Sequence, residues 1–276
     1  SNALRDLSAN AHTITANGTP SVTYANPLPT AAALAQPYAG SVLFNGTDSS
    51  YSVGYSEALS FTADFTYEMY VNPSNAVYGV LAGSTGNGFL VNRNGDGSVS
   101  VYNSGTGTTL SSVVGAAPQG KWTHIAWTRS GDIASLWVNG ALASSGSQPA
   151  GTYTLGLTTG ASMYLGSRAD ASNKYAGSIA NLRAVKGSAL YVGPFVPPDA
   201  PATNISGTSL LTMQGDATDR SSASLTLTPA GTPVLQKSVT PFNKVELVEP
   251  VTGGVYLSGI ASNCVNFRIS SNSSIG

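Results

Sequence analysis

Carboxylates and histidines are the side chains most often used for catalysis, and this 276-residue chain has few of them. Its glutamates are Glu57, Glu68, Glu246 and Glu249. None lies in an E-x-D-x-x-E arrangement, in which alternate strand positions would bring two carboxylates close enough to hydrolyse a glycoside. A depolymerase with carboxylates on separate strands remains an alternative, but the spacing favours a protein that is not an enzyme.

The two histidines offer no better case for catalysis. His124 lies in an apolar stretch with Trp122 and Ala126 on the same face, which favours a satisfied core histidine over a general base. No G-x-S-x-G motif accompanies it. His12 and Cys264, the remaining zinc-type ligands, are far away in the sequence, so no zinc site is predicted.

Two polar turns could hold calcium, which prefers carboxylate, amide and carbonyl oxygens. One contains Asp170 and Asn173, and the other contains Asn94 and Asp96. Both also have the composition of ordinary turns, in which Asn and Asp bond to their own backbone. Calcium is therefore one interpretation and plain turn chemistry is the other. No cofactor is required.

The same turns place tyrosines beside polar side chains. Tyr175 follows Asp170 and Asn173, and Tyr102 precedes Asn103. Sugar sites combine an aromatic ring, which packs on the apolar sugar face, with amides or carboxylates for the hydroxyls. The alternative is that these tyrosines pack across strands or at an oligomer interface. The predicted ligand site is thus Asp170, Asn173 and Tyr175, with Asn94, Asp96 and Tyr102.

Composition indicates a β-rich protein of a surface or particle. Only 9% of residues are charged, against about 25% in average proteins, and glycine contributes 31 residues. The formal net charge is −1, so nothing favours nucleic acid or an anionic membrane as partner. No apolar run is long enough for a membrane-inserted helix. We expect neutral, polar partners.

Strand patterns recur along the chain, whereas the best helical candidate is the short segment 30–35. In the stretch 65–71, apolar residues alternate with Thr66, Glu68 and Tyr70, which predicts a strand with the two sets on opposite faces, ended by Pro73. The stretches 122–129 and 133–138 are apolar on both faces, as central strands are. Hairpins are predicted at 139–140 and 94–97, because Asn-Gly favours the positive φ of a tight turn.

A self-comparison finds a repeated segment. Residues 12–20 align with residues 225–233 at a constant offset of 213, and Asp6 and Ser8 are echoed by Asp219 and Ser221. The simplest interpretation is that each copy begins a unit of about 213 residues. The second copy then either packs on the first unit or is a fragment of a further one.

These patterns predict four segments. Residues 1–3 are typical of an expression-tag scar, 4–215 form a sandwich, 216–242 repeat the N-terminal strand segment, and 243–276 form a small C-terminal β extension. Within this last segment, strands are expected at 245–248, 253–257 and 265–269.

Seven segments in order resemble the laminin-G-like, concanavalin A-like lectin jelly rolls found in phage virion and tail proteins and in bacterial surface proteins. The segments are Ser41–Thr47, Phe65–Pro73, Lys121–Arg129, Leu136–Gly140, Tyr164–Gly166, Gly177–Tyr191 and Phe195–Pro198. The resemblance implies an all-β, two-sheet antiparallel jelly-roll sandwich. Ala180-Asn181 departs from the family, since many relatives carry Asp there.

The resemblance implies adhesion or binding, although fold alone does not give function. The first hypothesis is a phage tail, virion or bacterial surface module that recognises a host glycan or receptor outside the cell. The second is a structural virion component that assembles as a homo-oligomer, a trimer if it belongs to a tail fibre. A polysaccharide depolymerase is the third.

Overall fold

The computed structural model describes residues 39–84, 88–103, 107–148, 160–169, 171–242, 246–247 and 257–258. The chain divides into two units, Ser1–Gln36 and Pro37–Gly276, and every described residue belongs to the second. The predicted helix at 30–35 lies outside the described residues. Within the described ranges the only helix is a 3₁₀ turn at Glu57–Leu59, and none there is long and apolar enough to cross a membrane.

The described chain is built almost entirely of strands. In order they are β1 (Ser41–Asn45), β2 (Ser50–Gly54), β3 (Phe65–Pro73), β4 (Gly79–Ser84), β5 (Phe89–Arg93), β6 (Val99–Asn103), β7 (Thr108–Ser111), β8 (Thr123–Ser130), β9 (Ile133–Val138), β10 (Ala141–Ser147), β11 (Ser162–Leu165), β12 (Ala176–Lys186), β13 (Thr208–Thr212), β14 (Leu227–Ala230), β15 (Val234–Gln236), β16 (Glu246–Leu247) and β17 (Leu257–Ser258).

Two antiparallel sheets face each other, which confirms the predicted all-β sandwich. The eight-stranded sheet has the order β10-β9-β8-β3-β12-β1-β15, with β13 also paired to β12. The seven-stranded sheet has the order β14-β2-β11-β4-β5-β6-β7. Strands β16 and β17 form a separate two-stranded sheet. The predicted tail strand at 265–269 lies outside the described residues.

The core lies between the two sheets and is filled by alternate residues of their strands. From β3 it receives Phe65, Tyr67, Met69 and Val71, as the alternation predicted. Trp127 packs edge-on against Phe65, with ring centroids 4.8 Å apart. Strand β3 ends at Pro73, where a residue without an N–H must interrupt the ladder.

Both predicted hairpins are present. Asn139 and Gly140 have φ of 50° and 79°, the pair of positive values that a two-residue turn between β9 and β10 requires. Residues 94–98 connect β5 to β6, with the N–H of Gly97 donating to the carbonyl oxygen of Asn94 at 2.9 Å.

The eight-stranded sheet is covered on its outer face as well. Residues 188–203, here called the strap, cross that face. The N–H of Leu190 donates to Thr66 Oγ1, and the N–H of Phe195 donates to the carbonyl oxygen of Gly140. The N–H of Ala202 donates to Asn181 Oδ1. Consequently Thr66, Glu68 and Tyr70, which face away from the core, are buried too.

Residues 219–236, here called the closing segment, join the two sheets on one side of the sandwich. β14 pairs with β2 at the edge of the seven-stranded sheet, and β15 pairs with β1 in the eight-stranded sheet. The second copy of the repeated segment therefore packs on this sandwich. Its side chains Leu225 and Leu227 are partly buried against the core.

Candidate functional site

The outer face of the seven-stranded sheet, here called the open face, carries polar and aromatic side chains. Alternation fixes their direction: Tyr51, Val53 and Met163 point into the core, so Ser52 and Tyr164 point outward. No other described strand packs over this face. Tyr164, Leu90 and Tyr102 are partly or fully exposed on it, whereas Val80, Asn92 and Ser100 are buried.

One continuous register crosses all seven strands and is called here the tyrosine row. Its members pair strand by strand and are Thr228, Ser52, Tyr164, Gly83, Leu90, Tyr102 and Thr109. Tyr164 and Tyr102 lie three strands apart, or about 14 Å at the usual spacing of neighbouring strands. Tyr102 is 37% exposed and Tyr164 is half-buried.

The sheet surface between the two tyrosines is recessed because one of its positions is a glycine. A Cβ on Gly83 would lie 2.6 Å from Cδ2 of Leu90, so a larger residue here would displace the leucine side chain. Leu90 is half-buried. The result is a shallow apolar strip with a tyrosine at each end, which suits the apolar faces of sugar rings.

A second register beside the first is called here the amide row. It consists of Lys174, Val80, Asn92, Ser100 and Ser111. Asn92 is 6% exposed; its Nδ2 lies 3.5 Å from Ser100 Oγ, and its Oδ1 has no partner among the described residues. A buried acceptor without a partner is costly in a protein, and a ligand hydroxyl would satisfy it only once the side chains that cover it move aside.

The predicted residues Asn94 and Asp96 lie in the turn after β5, beside the Asn92–Ser100 pair of the amide row. Asn94 Nδ2 donates to Ser98 Oγ at 2.9 Å and to Ser100 Oγ at 3.3 Å. Asp96 Oδ1 accepts from the N–H and the hydroxyl of Ser98, and these bonds hold its pKa below the usual value. The turn therefore orients the polar side chains of the open face.

The predicted residue Asn173 precedes Lys174, which forms one end of the amide row. Its backbone adopts a φ of 51°, and its carbonyl oxygen accepts from the N–H of Val80 at 2.9 Å. The next residue, Lys174, donates to Ser50 Oγ and to the carbonyl oxygen of Asp48. The structure thus brings Asn173 and Asn94, predicted as separate sites, to the same sheet.

Tyr175 requires a correction, because its ring was expected to face a ligand. It is 1% exposed and belongs to the core, where burial raises the pKa of its hydroxyl. The alternative interpretation, packing inside the protein, describes it correctly. Tyr102 is the predicted tyrosine that is exposed, whereas its neighbour Asn103 is buried.

Calcium does not fit the described turn. It takes six to eight oxygen ligands, and the Asn94–Asp96 turn supplies one carboxylate, whose Oδ1 already accepts two hydrogen bonds. The described residues contain no group of three His, Cys, Asp or Glu side chains that could hold a metal. Asp170, the carboxylate of the other candidate, lies outside the described residues.

A carboxylate–histidine pair does occur under the strap. His124 Nε2 lies 3.1 Å from Glu68 Oε2, and both side chains are 1% exposed. Arg183 Nε and the hydroxyl of Tyr191 donate to the same carboxylate at 2.7 Å each. The ring of Phe195 packs edge-on against His124, at 5.7 Å between centroids.

The surroundings of Glu68 favour its ionised form. Burial alone would raise the pKa of Glu68, but the hydrogen bond from His124 and the charge of Arg183 outweigh it and keep the pKa below its usual value. The carboxylate is thus ionised, fully hydrogen-bonded and closed off from substrate. His124 is buried as predicted and its Nε2 pairs with Glu68, but its Nδ1 has no hydrogen-bond partner among the described residues.

Sequence reasoning missed Tyr164 and Asn92 as site residues. Tyr164 was recognised only as part of a strand motif, although its neighbours Met163 and Leu165 already indicated that it points outward. Asn92 lies inside β5, two residues before the turn residue Asn94 that was predicted. Neither side chain could be placed beside Tyr102 without the strand order, because β11 joins β4 from 80 residues away in the sequence.

Comparison with known proteins agrees with this architecture. Residues 45–190 match the family model described as the concanavalin A-like lectin/glucanases superfamily. The chain belongs to this superfamily. The match includes strands β2 to β12 and thus nearly all of the open face, but neither β14 nor the closing segment. No curated protein matches this chain.

Among solved structures, one with a TM-score above 0.5 shares its fold at low sequence identity, and others are similar at lower scores. A Bacteroides ovatus protein proposed to bind carbohydrate has a TM-score of 0.54 and 15% identity, over 74% of this chain and 62% of that one. A heptameric pentraxin from Limulus polyphemus has a TM-score of 0.43 and 13% identity, over 54% and 76%. A sialidase module from Ruminococcus gnavus bound to sialyllactose has a TM-score of 0.39 and 18% identity, over 51% and 86%.

Proposed function

We propose that this protein is a non-catalytic module that binds a linear, neutral glycan across the strands of its open face. The tyrosine row carries the proposal. Tyr164 and Tyr102 provide two stacking platforms on one register, and Leu90 with Gly83 provides the apolar strip between them. A single sugar ring cannot reach both tyrosines, so an oligosaccharide is the fitting ligand.

The amide row supplies the polar half of the site. Ser111 presents an exposed hydroxyl, while the buried Ser100 and Asn92 Oδ1, which has no partner in the described chain, would be reached once the side chains over them move aside. Lys174 is the one charged member of either row, and its ammonium already contacts Ser50 and Asp48. This balance favours hydroxyl-rich, uncharged sugars over sulfated or sialylated ones.

The low charge and the superfamily support a role on a surface outside the cell. We place the module on a phage tail or virion, or on a bacterial surface, where it recognises a host glycan or receptor. The Bacteroides ovatus neighbour, the one structure here with a TM-score above 0.5, is consistent with carbohydrate as the ligand class.

Binding to a panel of neutral oligosaccharides of increasing length tests the proposal. Affinity should rise until the ligand spans Tyr164 and Tyr102 and then level off. Tyr102→Ala and Tyr164→Ala should each weaken binding about tenfold, the equivalent of roughly 1.4 kcal/mol. Tyr55→Ala is the matched control, since Tyr55 is 39% exposed but lies outside the row. Absence of binding at millimolar glycan, or equal loss in the control, would refute the proposal.

A structural role is the second candidate, favoured by the repeated segment that closes the sandwich. A homo-oligomeric spacer, trimeric in a tail fibre, would bind no glycan and would need no open face. Light scattering of the full chain, combined with the glycan panel, distinguishes the spacer from the glycan-binding module. A stable oligomer whose assembly survives Tyr102→Ala, together with no glycan binding, supports the spacer.

A further inference from the structure

The closing segment is held on the sandwich by a small number of specific contacts. Asp219 is 9% exposed, and its carboxylate accepts from the N–H groups of Leu211, Ser221 and Leu225 at 2.7–2.9 Å, and from the hydroxyl of Ser221 at 2.8 Å. This carboxylate ties β13 to the start of the closing segment.

The turn between β14 and β15 has equally strict requirements. Gly231 has a φ of 62°, and a Cβ there would lie 2.6 Å from the backbone of Asp48. The neighbouring Thr232 accepts a hydrogen bond from Asn45 Nδ2 at 3.2 Å. The turn is therefore fitted to the loop between β1 and β2.

Residues 6–22 reproduce these contact positions. They align with residues 219–235 at the offset of 213 without a gap, and seven of the seventeen positions are identical. The identical pairs are Asp6 with Asp219, Ser8 with Ser221, Thr13 with Thr226, Thr15 with Thr228, Gly18 with Gly231, Thr19 with Thr232 and Pro20 with Pro233. The anchoring aspartate and serine, the turn glycine and the bonded threonine are all retained.

The same offset also relates β1 to the C-terminal tail. Residues 39–47 align with residues 252–260, and Gly40, Val42 and Gly46 recur as Gly253, Val255 and Gly259. A Cβ on Gly40 would collide with the backbone of Gln236, and Gly46 has a φ of 77°. Leu257–Ser258, the positions of Phe44–Asn45, are themselves a strand, β17.

We infer that the chain is one period of a head-to-tail array of sandwiches with a 213-residue repeat. By their sequence, residues 6–22 correspond to the closing segment of a sandwich that comes before this one, and residues 252–260 correspond to the opening strand of a sandwich that comes after it. One sandwich offers one place for a closing segment, at the edges of β1 and β2, and residues 219–236 occupy it. The second copy fits the same edges of another sandwich.

This assignment reverses the order suggested by the sequence. The repeat was expected to begin a unit, but in the structure its second copy completes one. Leu225 and Leu227 both pack against the core; Leu227 is matched by the apolar Ile14, and Leu225 is matched by His12. Among the exposed positions, Ser222 and Ser224 differ between the copies, whereas Thr226 and Thr228 are identical.

A segment exchange in the full chain tests the inference. Residues 219–235 are replaced by the sequence of residues 6–22, and a second variant receives a scrambled version of the same seventeen residues. The exchange should lower the thermal unfolding midpoint by no more than about 5 °C, and the scramble by more than about 10 °C. Alanine at the transferred aspartate should lower the midpoint as much as Asp219→Ala does in the parent. Equal damage from exchange and scramble overturns the inference.

A fusion tests the array itself. A chain in which residues 1–251 are followed by residues 39–276 places a complete second sandwich at the 213-residue offset. Calorimetry should give about twice the unfolding enthalpy of the parent, since that enthalpy scales with the number of folded residues. An enthalpy equal to that of the parent, with the added part cut rapidly by protease, counts against the array. Neither test involves glycan, so each is independent of the proposed function.

Discussion

Glu68 and His124 form a buried hydrogen-bonded pair on the face of the eight-stranded sheet that points away from the core, with Oε2 and Nε2 3.1 Å apart. They lie on adjacent strands, and Arg183 reaches the same carboxylate from the other side. The pair resembles part of a catalytic site in its residue types. The strap, however, buries the pair, which therefore connects the sheet to the segment that covers it.

Removal of the charge of Glu68 should destabilise the fold strongly. Glu68→Gln leaves the Arg183 guanidinium buried without its counter-ion, and such a change costs about 3–5 kcal/mol. Urea unfolding measures the loss. Glu57→Gln is the control, because the side chain of Glu57 is 77% exposed and its ion pair with Lys186 should contribute less than about 1 kcal/mol. Similar losses in both variants would contradict the structural role of the cluster.

Stability should fall in acid through the same carboxylate. The pKa of Glu68 is lowered in the folded state, so its contribution is complete above the ordinary value of 4.5 and is lost as the pH falls through the lower folded value. Urea midpoints measured from pH 7 to pH 3 should drop more in the parent than in Glu68→Gln. Parallel curves would show that other carboxylates, such as Asp216, dominate the acid transition.

The strap depends on a glycine in the β9–β10 turn. A Cβ on Gly140 would overlap the carbonyl oxygen of Phe195, and its φ is positive, so Gly140→Ala combines strain with a steric clash. We expect a loss of more than about 2 kcal/mol. Gly131→Ala is the matched control: its φ is also positive but nothing lies within 4 Å, so it should cost about 1 kcal/mol. Chemical unfolding of both variants measures the two losses of unfolding free energy. Equal losses would contradict a clash between the added Cβ and the strap.

Asn92 should matter for binding and not for folding. Asn92→Leu removes a buried acceptor that has no partner, so stability should stay within about 1 kcal/mol of the parent. Glycan affinity should fall about tenfold, because a ligand hydroxyl loses its acceptor. Asn204→Leu, on an exposed loop, is the control. Unchanged affinity in Asn92→Leu would remove the amide row from the site.

Local patterns predicted most of the strands and both hairpins. The alternation at 65–71 and the Asn139-Gly140 pair specify β3 and the β9–β10 turn within a few residues, because strand direction and positive φ are local properties. The candidate site was predicted only in part. Tyr102 was predicted from its polar neighbourhood and is exposed, while Tyr175 has a similar neighbourhood and is buried. The sequence contains no local signal that separates the two.

What the sequence by itself determined is the class of the protein: strands, turns, few charges and the ordered motifs of a lectin-like sandwich. Tertiary structure decided which surfaces stay open. The outer faces of β3 and β11 both carry polar residues and tyrosines, yet the strap covers Glu68 and Tyr70 on one sheet, and no described strand covers Tyr164 on the other. Burial depends on segments that meet across more than a hundred residues, as Tyr191 meets Glu68. The periodicity of a strand reports which residues share a face, and only the packed chain decides what covers it.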